Sequence, residues 1–357
     1  VALRIQRDAF ISTIVSPSHL ISPNDQLFTS THIKIVANNE SVRAYCSGDH
    51  ISSCAYIPFE TIEPGTFYFA RAALEAFATK LTTDAVTIEH NGSESILRAD
   101  QRTMTFADPK KHFSFPRKPT SNLESLDTLS ESDALMIQTV AQASTENDQV
   151  RSEYHCVYAD PVKSGTEIFA YNGSALAMGV LDKKFKHAVA LPTQLSRMAK
   201  FGNLLVSQEE VGIEGPYCLY WCKAPIKAQH AFPLDKVRAT LNKPAEKLFE
   251  IEGKGMSAAV DLLQRAFASW DEASDAILEL DGNTLKVRVK FPSTRFEEVL
   301  SVEGSSRKFT VKLPLKEHSR LLPALARMPL LSVYNVGKHI RFEGDGFKLL
   351  LPVDYSK

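Results

Sequence analysis

Cysteine is scarce: five residues, widely scattered, in a chain of 357. That is too few for a disulfide framework. Cys218, Tyr220 and Cys222 alternate along one apparent strand, so the pair reads as packing rather than as metal ligands. The ten histidines form no pair at ligand spacing, and neither a metal nor any other cofactor is expected. No apolar run approaches the roughly 20 residues that cross a bilayer. The opening stretch Val1-Ala2-Leu3-Arg4-Ile5-Gln6-Arg7 lacks the apolar core of a signal peptide, which makes a cytoplasmic protein the expectation. A glycine-rich phosphate loop and a nucleophile with its base are also missing. Candidate catalytic pairs such as His230 near Asp235, or Asp271 with Glu272, therefore read as surface residues, and no enzyme is expected. An excess of charge of either sign is lacking too, since the formal net charge is −1.

What the chain does contain is a pattern written three times. Helix-period segments begin at Ala70, Pro192 and Pro314, and from position 70 to 192 and from 192 to 314 is 122 residues in each case. Each follows a β-like stretch (Thr66 to Phe69, His187 to Leu191, Lys308 to Leu313) and precedes a strand ending in Asn-Gly or Glu-Gly. Earlier helices near Asp8 to Val15, Ser132 to Ala143 and Met256 to Ala268 recur at a similar interval. Alternating stretches such as Thr31 to Ala37 follow them, and Asp281-Gly282-Asn283 marks a hairpin. The predicted fold class is α+β, three tandem domains of two helices packed on two small antiparallel sheets. With 44% hydrophobic and 23% charged residues, 357 residues suit three cores better than one. Proline-bearing polar linkers near Phe115 to Asn122 and Leu241 to Pro244 set the domains at 1–117, 125–242 and 246–357.

Helix phases, at about 100° per residue, sort the charges. In the last helix Leu321, Leu322 and Leu325 form the buried stripe, and Lys316, Arg320 and Arg327 fall within about 40° of one another on the opposite side. After Pro192, Arg197 and Lys200 with Thr193 face away from Leu195, Met198 and Ala199. Arg265 opposes Val260, Leu263 and Phe267; the helix from Ser132 turns Gln138 and Gln142 outward; and the one after Ala70 keeps Arg71 and Lys80 on its flanks. A neutral protein sorted in this way can offer a positive face to a polyanion.

Glu63 to Arg71, Gln149 to Tyr154, Asn172-Gly173-Ser174-Ala175-Leu176-Ala177, Phe232-Pro233 and Leu349 to Val353 occur in an order and spacing that resembles the bacterial DNA polymerase III β sliding clamp, along essentially the whole chain. The resemblance implies a crescent of three DNA-clamp domains, two copies of which close head to tail into a ring around duplex DNA. Such a ring holds DNA without base readout and tethers a polymerase for processive synthesis. A clamp-like paralogue that binds partner peptides without encircling DNA is the alternative.

The resemblance assigns DNA contact to Arg71, Arg98 and Arg102, and phasing adds Arg197, Lys200, Arg265, Lys316, Arg320 and Arg327. It implies a groove for short linear motifs of polymerase, clamp loader and repair proteins at Tyr154, Gly173, Leu176, Phe232, Pro233, Val237, Leu351, Pro352 and Val353. Where the family has Asp-Gly-His-Arg-Leu, this chain has Asn172-Gly173-Ser174-Ala175-Leu176, so a basic rim residue is gone. A homodimer interface is expected between Met104 and Phe106 of one copy and the segment holding Trp270, Glu272 and Ala273 of the other, more polar than the family pattern.

Overall fold

The computed structural model describes residues 2–15, 28–48, 51–60, 63–79, 81–109, 113–145, 151–199, 202–225, 232–253, 255–257, 259, 275–290, 295–304, 308–314 and 321–354. The architecture is α+β, dominated by antiparallel strands. The first third holds β1 (Ala2–Gln6), β2 (His32–Ala37), β3 (Val42–Ser47), β4 (Ile51–Tyr56), β5 (Gly65–Ala70), β6 (Ala85–His90), β7 (Glu94–Ala99) and β8 (Arg102–Ala107). Its helices are α1 (Arg7–Phe10), continued by a π-helical turn over Ile11–Val15, α2 (Phe28–Thr31) and α3 (Arg71–Ala78).

The middle third repeats that order. It contains β9 (Glu124–Leu129), α4 (Glu131–Ala141), a 3-10 turn (Ser152–His155), β10 (Cys156–Val162), β11 (Gly165–Tyr171) and β12 (Leu176–Leu181). After these come β13 (Val189–Pro192), α5 (Thr193–Arg197), β14 (Gly202–Val206), β15 (Glu210–Glu214), β16 (Cys218–Lys223) and α6 (Leu234–Leu241). The last third holds β17 (Glu246–Glu252), β18 (Asp275–Asp281), β19 (Thr284–Lys290), β20 (Arg295–Ser301), β21 (Glu303–Gly304) and β22 (Phe309–Pro314). It ends with α7 (Leu322–Ala326), β23 (Leu330–Asn335), β24 (His339–Gly344) and β25 (Phe347–Pro352).

Two compact units emerge, one of Val1–Ser130 with Lys200–Ala224, the other of Glu131–Ala199 with Pro225–Lys357. Both cut through the middle third, and strand pairing explains why. In the first unit β4 pairs antiparallel with β16, giving an eight-stranded sheet ordered β5-β2-β3-β4-β16-β15-β14-β9. In the second β12 pairs with β25, giving β13-β10-β11-β12-β25-β24-β23-β17-β21. Hydrogen-bonded ladders thus join strands from either side of each expected linker. The remaining sheets, β1-β6-β7-β8 and β20-β19-β18-β22, have four strands each.

Local patterns account for the elements. β2 alternates strictly, with Ile33, Ile35 and Ala37 buried. In α3, helix-favouring alanines surround Leu74 and Phe77, which bury one face against the core of Leu3, Ile5, Phe67 and Phe69. Gly282, at φ +62, makes the expected hairpin between β18 and β19. The Glu-Gly signals sit one strand later than expected: Glu214-Gly215 closes β15, and Glu343-Gly344 closes β24.

The linker after the first third is held by a carboxylate. Phe115 packs with Tyr45, Cys54, Tyr68 and Trp221. Nearby, the buried Glu210 accepts hydrogen bonds from the Ser121 backbone N–H at 2.7 Å and the Ser121 hydroxyl at 2.6 Å. Burial works against its charge, but the hydrogen bonds from Ser121 and Thr120 outweigh it and hold the pKa below the ordinary 4.5. A depressed folded-state pKa contributes stability at neutral pH that is lost as the pH falls through that value. Glu210→Gln is therefore expected to cost about 1–2 kcal/mol near neutrality. In thermal melts across pH, its gap from the parent should shrink below the ordinary carboxylate range.

Candidate functional site

The turn between β11 and β12 is shaped by Asn172, whose side-chain oxygen accepts the N–H groups of Ser174 at 3.0 Å and Ala175 at 2.8 Å. Gly173 stands at φ +95, where a side chain would be strained, and a Cβ there would meet the Tyr154 ring at 3.5 Å. Tyr154 packs edge-on against Tyr171, ring centroids 5.0 Å apart, and the Tyr171 hydroxyl donates to the Gly173 carbonyl at 2.7 Å. Below this rim lies an apolar cluster of Cys156, Tyr158, Phe169, Leu176, Met178, Leu350 and Val336. Phe232, Val237 and Leu241 close it from the side of α6, with Phe232 stacked on Tyr158 at 3.8 Å.

A cation fastens α6 to the sheet. Arg238 donates from Nε to Glu167 at 2.7 Å and from Nη2 to Asp160 at 2.5 Å, its guanidinium 5.5 Å from the Phe169 ring centroid. Burial pushes the Cys156 thiol up to about 12, so this sulfur is packing rather than a nucleophile.

Most of the expected groove residues therefore meet in one place: Tyr154 and Gly173 at the rim, Leu176, Phe232 and Val237 in the cluster, and Pro233 exposed at the start of α6. Leu351 and Val353 do not join them. Leu350 belongs to the cluster, and strand alternation puts Leu351 on the other face of β25, fully buried, while Pro352 shares the face of Leu350. Every residue from Leu349 to Leu351 is apolar and buried, so the sequence alone carried no signal of which face each would take.

The expected DNA-facing cations separate. Arg98, on β7, is exposed and pairs with Glu89 at 2.9 Å; Arg102 is exposed at the start of β8. Arg71 is half-buried and pairs with Glu75 at 2.7 Å, one helical turn on. Arg327 is exposed as the residue that ends α7, opposite the buried Leu321, Leu322 and Leu325. Lys200, Arg265, Lys316 and Arg320 lie outside the described residues.

Two outward faces read from phasing are covered. Thr193 is buried and donates its hydroxyl to Ser144 Oγ at 2.7 Å, and Nε and Nη2 of Arg197 are buried beside it on α5, because α5 packs on α4. Gln138 turns inward to donate to the Ala199 carbonyl, at 2.5 Å, leaving Glu131, Ser132 and Leu135 exposed on α4. A phase angle marks the side away from one core; it carries no information about a second element lying on that side.

Met104 and Phe106 are half-buried on β8, the edge of its sheet, where Phe106 meets Phe69 edge-on at 5.1 Å. Trp270, Glu272 and Ala273 lie outside the described residues, as do His230 and Asp271. Asp235 is exposed in the first turn of α6. The edge of the other four-stranded sheet is β20, with Phe296 and Val299 exposed. Among the described residues no three His, Cys, Asp or Glu side chains are arranged to hold a metal ion, and no helix is long and apolar enough to cross a membrane.

No family model matches the sequence, and no curated protein does. Solved structures match over the whole length. The DNA polymerase III β subunit of Thermotoga maritima superposes with a TM-score of 0.74 at 9% identity, covering 100% of both chains. A putative β subunit from Eubacterium rectale gives 0.69 at 12% identity over 99% of both. The sliding clamp of Pseudomonas aeruginosa gives 0.67 at 16% identity over 99% of this chain and 100% of that one. The fold is that of the DNA polymerase sliding clamp.

Proposed function

We propose that this chain is a DNA sliding clamp, a divergent relative of the bacterial β subunits, two copies of which close head to tail around duplex DNA. In this reading it does no chemistry. It acts in the cytoplasm as a processivity factor, holding DNA polymerase, clamp loader and repair proteins through short peptides that seat in the groove of Tyr154, Leu176, Phe232, Val237 and Leu350. Its domains are 1–117, 125–242 and 246–357.

The observation that carries the proposal is the way the sheets are joined. Each third supplies two four-stranded half-sheets, and twice the edge strand of one third pairs antiparallel with that of the next, β4 with β16 and β12 with β25. By the same rule β20, at the end of the series, wants the equivalent of β16 and β25. That equivalent is β8 in the first third, since β1-β6-β7-β8, β9-β14-β15-β16 and β17-β23-β24-β25 share one order. A second copy supplies it, and two such junctions close a ring in which neither β8 nor β20 is left without a partner. Arg98, Arg102 and Arg327 remain exposed and suit sequence-independent phosphate contact.

The ion pair of Arg71 with Glu75, the buried Nε and Nη2 of Arg197 and the exposed side of α4, which carries Glu131 and no cation, favour the second reading, a clamp-like protein that binds peptides without encircling DNA. One experiment separates them. Loaded onto nicked circular DNA and washed in salt, a ring is expected to stay and then to slide off once the circle is cut. Equal loss from circular and linear DNA would leave the peptide-binding reading.

A further inference from the structure

Opposite the groove, the same strands end in a cluster of cations. β11 runs from Gly165 to Tyr171, so its two ends lie about 20 Å apart. At the far end the β10–β11 turn exposes Lys163, and the β12–β13 connection exposes Lys183, Lys184, Lys186 and His187. Gly165 brings the two together: a Cβ there would collide with the Leu181 carbonyl and lie 3.6 Å from that of Asp182. The longer connection is anchored midway, because Phe185 is buried and its N–H donates to Thr166 Oγ1 at 2.8 Å. The lysines on either side of it are therefore presented by a fixed loop.

Charge at this end is sorted. Asp160 and Glu167 are engaged by Arg238, and Glu343 by Arg341. Among the described residues, Asp182 and, on the adjoining β24–β25 hairpin that Gly346 packs against Val180, Asp345 are the exposed carboxylates beside the four lysines. Among the described residues, Lys163, Lys183 and Lys184 make no ion pair, whereas exposed Lys247 and Lys308 do.

We propose that this loop pair is a second DNA-contact surface, which binds the phosphate backbone of duplex DNA apart from Arg98, Arg102 and Arg327. The loop's own composition selects the partner. Phe185 is buried and the small imidazole of His187 is the loop's one exposed ring, so no Phe, Tyr or Trp platform is offered on which successive bases of a single strand could stack. No exposed apolar residue stands among the lysines to enter a lipid surface. What remains is compact, hydrated ammonium groups on a fixed base, suited to a regular array of phosphates. The inference shares the DNA-binding reading but uses different residues.

The test is equilibrium binding to a short linear duplex, which needs no ring. Replacing Lys163, Lys183, Lys184 and Lys186 with glutamate is expected to weaken binding more than about tenfold at low salt and to flatten the slope of log K against log salt by about 2–3 units. The glutamine version should fall between variant and parent, and melting temperatures should match, since all four side chains are exposed. An unchanged affinity and slope would overturn the proposal. So would a loss confined to single-stranded DNA or to anionic phosphatidylserine vesicles. Retention of the parent on circular DNA is scored separately, so failure of the clamp reading and failure of this surface are told apart.

Discussion

Replacing Phe296 and Val299 with lysine is expected to leave the chain folded and to make it monomeric. Val299, at 55% exposed, lies opposite Lys286 on the face of β20 turned from the core, whereas Phe296, at 37%, lies opposite the buried Val289 at the margin of that core, so the variant should stay folded with a melting temperature only slightly below the parent's. The edge itself changes character. Lysine on an edge strand is the device by which proteins prevent strand addition, because an incoming strand must desolvate the ammonium groups. Association should weaken at least about 100-fold, roughly 2.7 kcal/mol, and a ring with two equivalent junctions takes that loss twice. Sedimentation at micromolar concentration reads the outcome, and retention on circular DNA should vanish with the dimer. A dimer of unchanged stability would place ring closure on another surface. β8 is the poorer side to test, since Phe106 also packs on Phe69 and its replacement would disturb the first core.

Arg341→Met should have the largest effect on stability. Arg341 is buried on β24; its Nη1 donates to the carbonyls of Leu241 and Lys243, both at 2.7 Å, and its Nε pairs with Glu343 at 2.6 Å. The guanidinium also lies 5.0 Å from the Tyr334 ring centroid. One side chain thus satisfies the carbonyls that end α6 and open the linker toward β17. Methionine fills similar space but leaves two carbonyl acceptors short of their donor and takes from Glu343 its nearest cation, at a cost of about 3–5 kcal/mol. Thermal denaturation should show a fall of about 10 °C. Leu241 belongs to the groove cluster, so peptide affinity should fall with it. A loss below about 1 kcal/mol would mean that the linker is held by other contacts.

The parts of the fold legible in the sequence were those that depend on near neighbours. The alternation of Ile33 and Ile35, the Asp281-Gly282-Asn283 hairpin and the Leu321-Leu322-Leu325 stripe arise from local periodicity and turn chemistry, and each stands where expected. Failures came where a distant segment intervened. Thr193 and Gln138 were assigned outward by phase, but α4 and α5 lie against each other and cover them. Leu350 rather than Leu351 joined the apolar cluster of Tyr158 and Phe232 because pairing with Leu176 set the register of β25. Tyr154, Gly173 and Phe232 were named from the sequence, whereas the rings they meet, Tyr171 and Tyr158, were not.

By itself the sequence determined that one α+β pattern occurs three times, and it showed neither an apolar run of bilayer-spanning length nor histidine pairs at ligand spacing. Period and composition carry those facts because each depends on residues a few positions apart. Only the tertiary structure decided which strands join thirds together, which helix faces stay open, and that β8 and β20 are left as unpaired edges. Those outcomes depend on ladders between residues more than a hundred positions apart, such as Leu176 with Leu350 and Ala55 with Cys218. An edge strand and a central strand can have the same local pattern; what separates them is whether another backbone arrives to accept their hydrogen bonds.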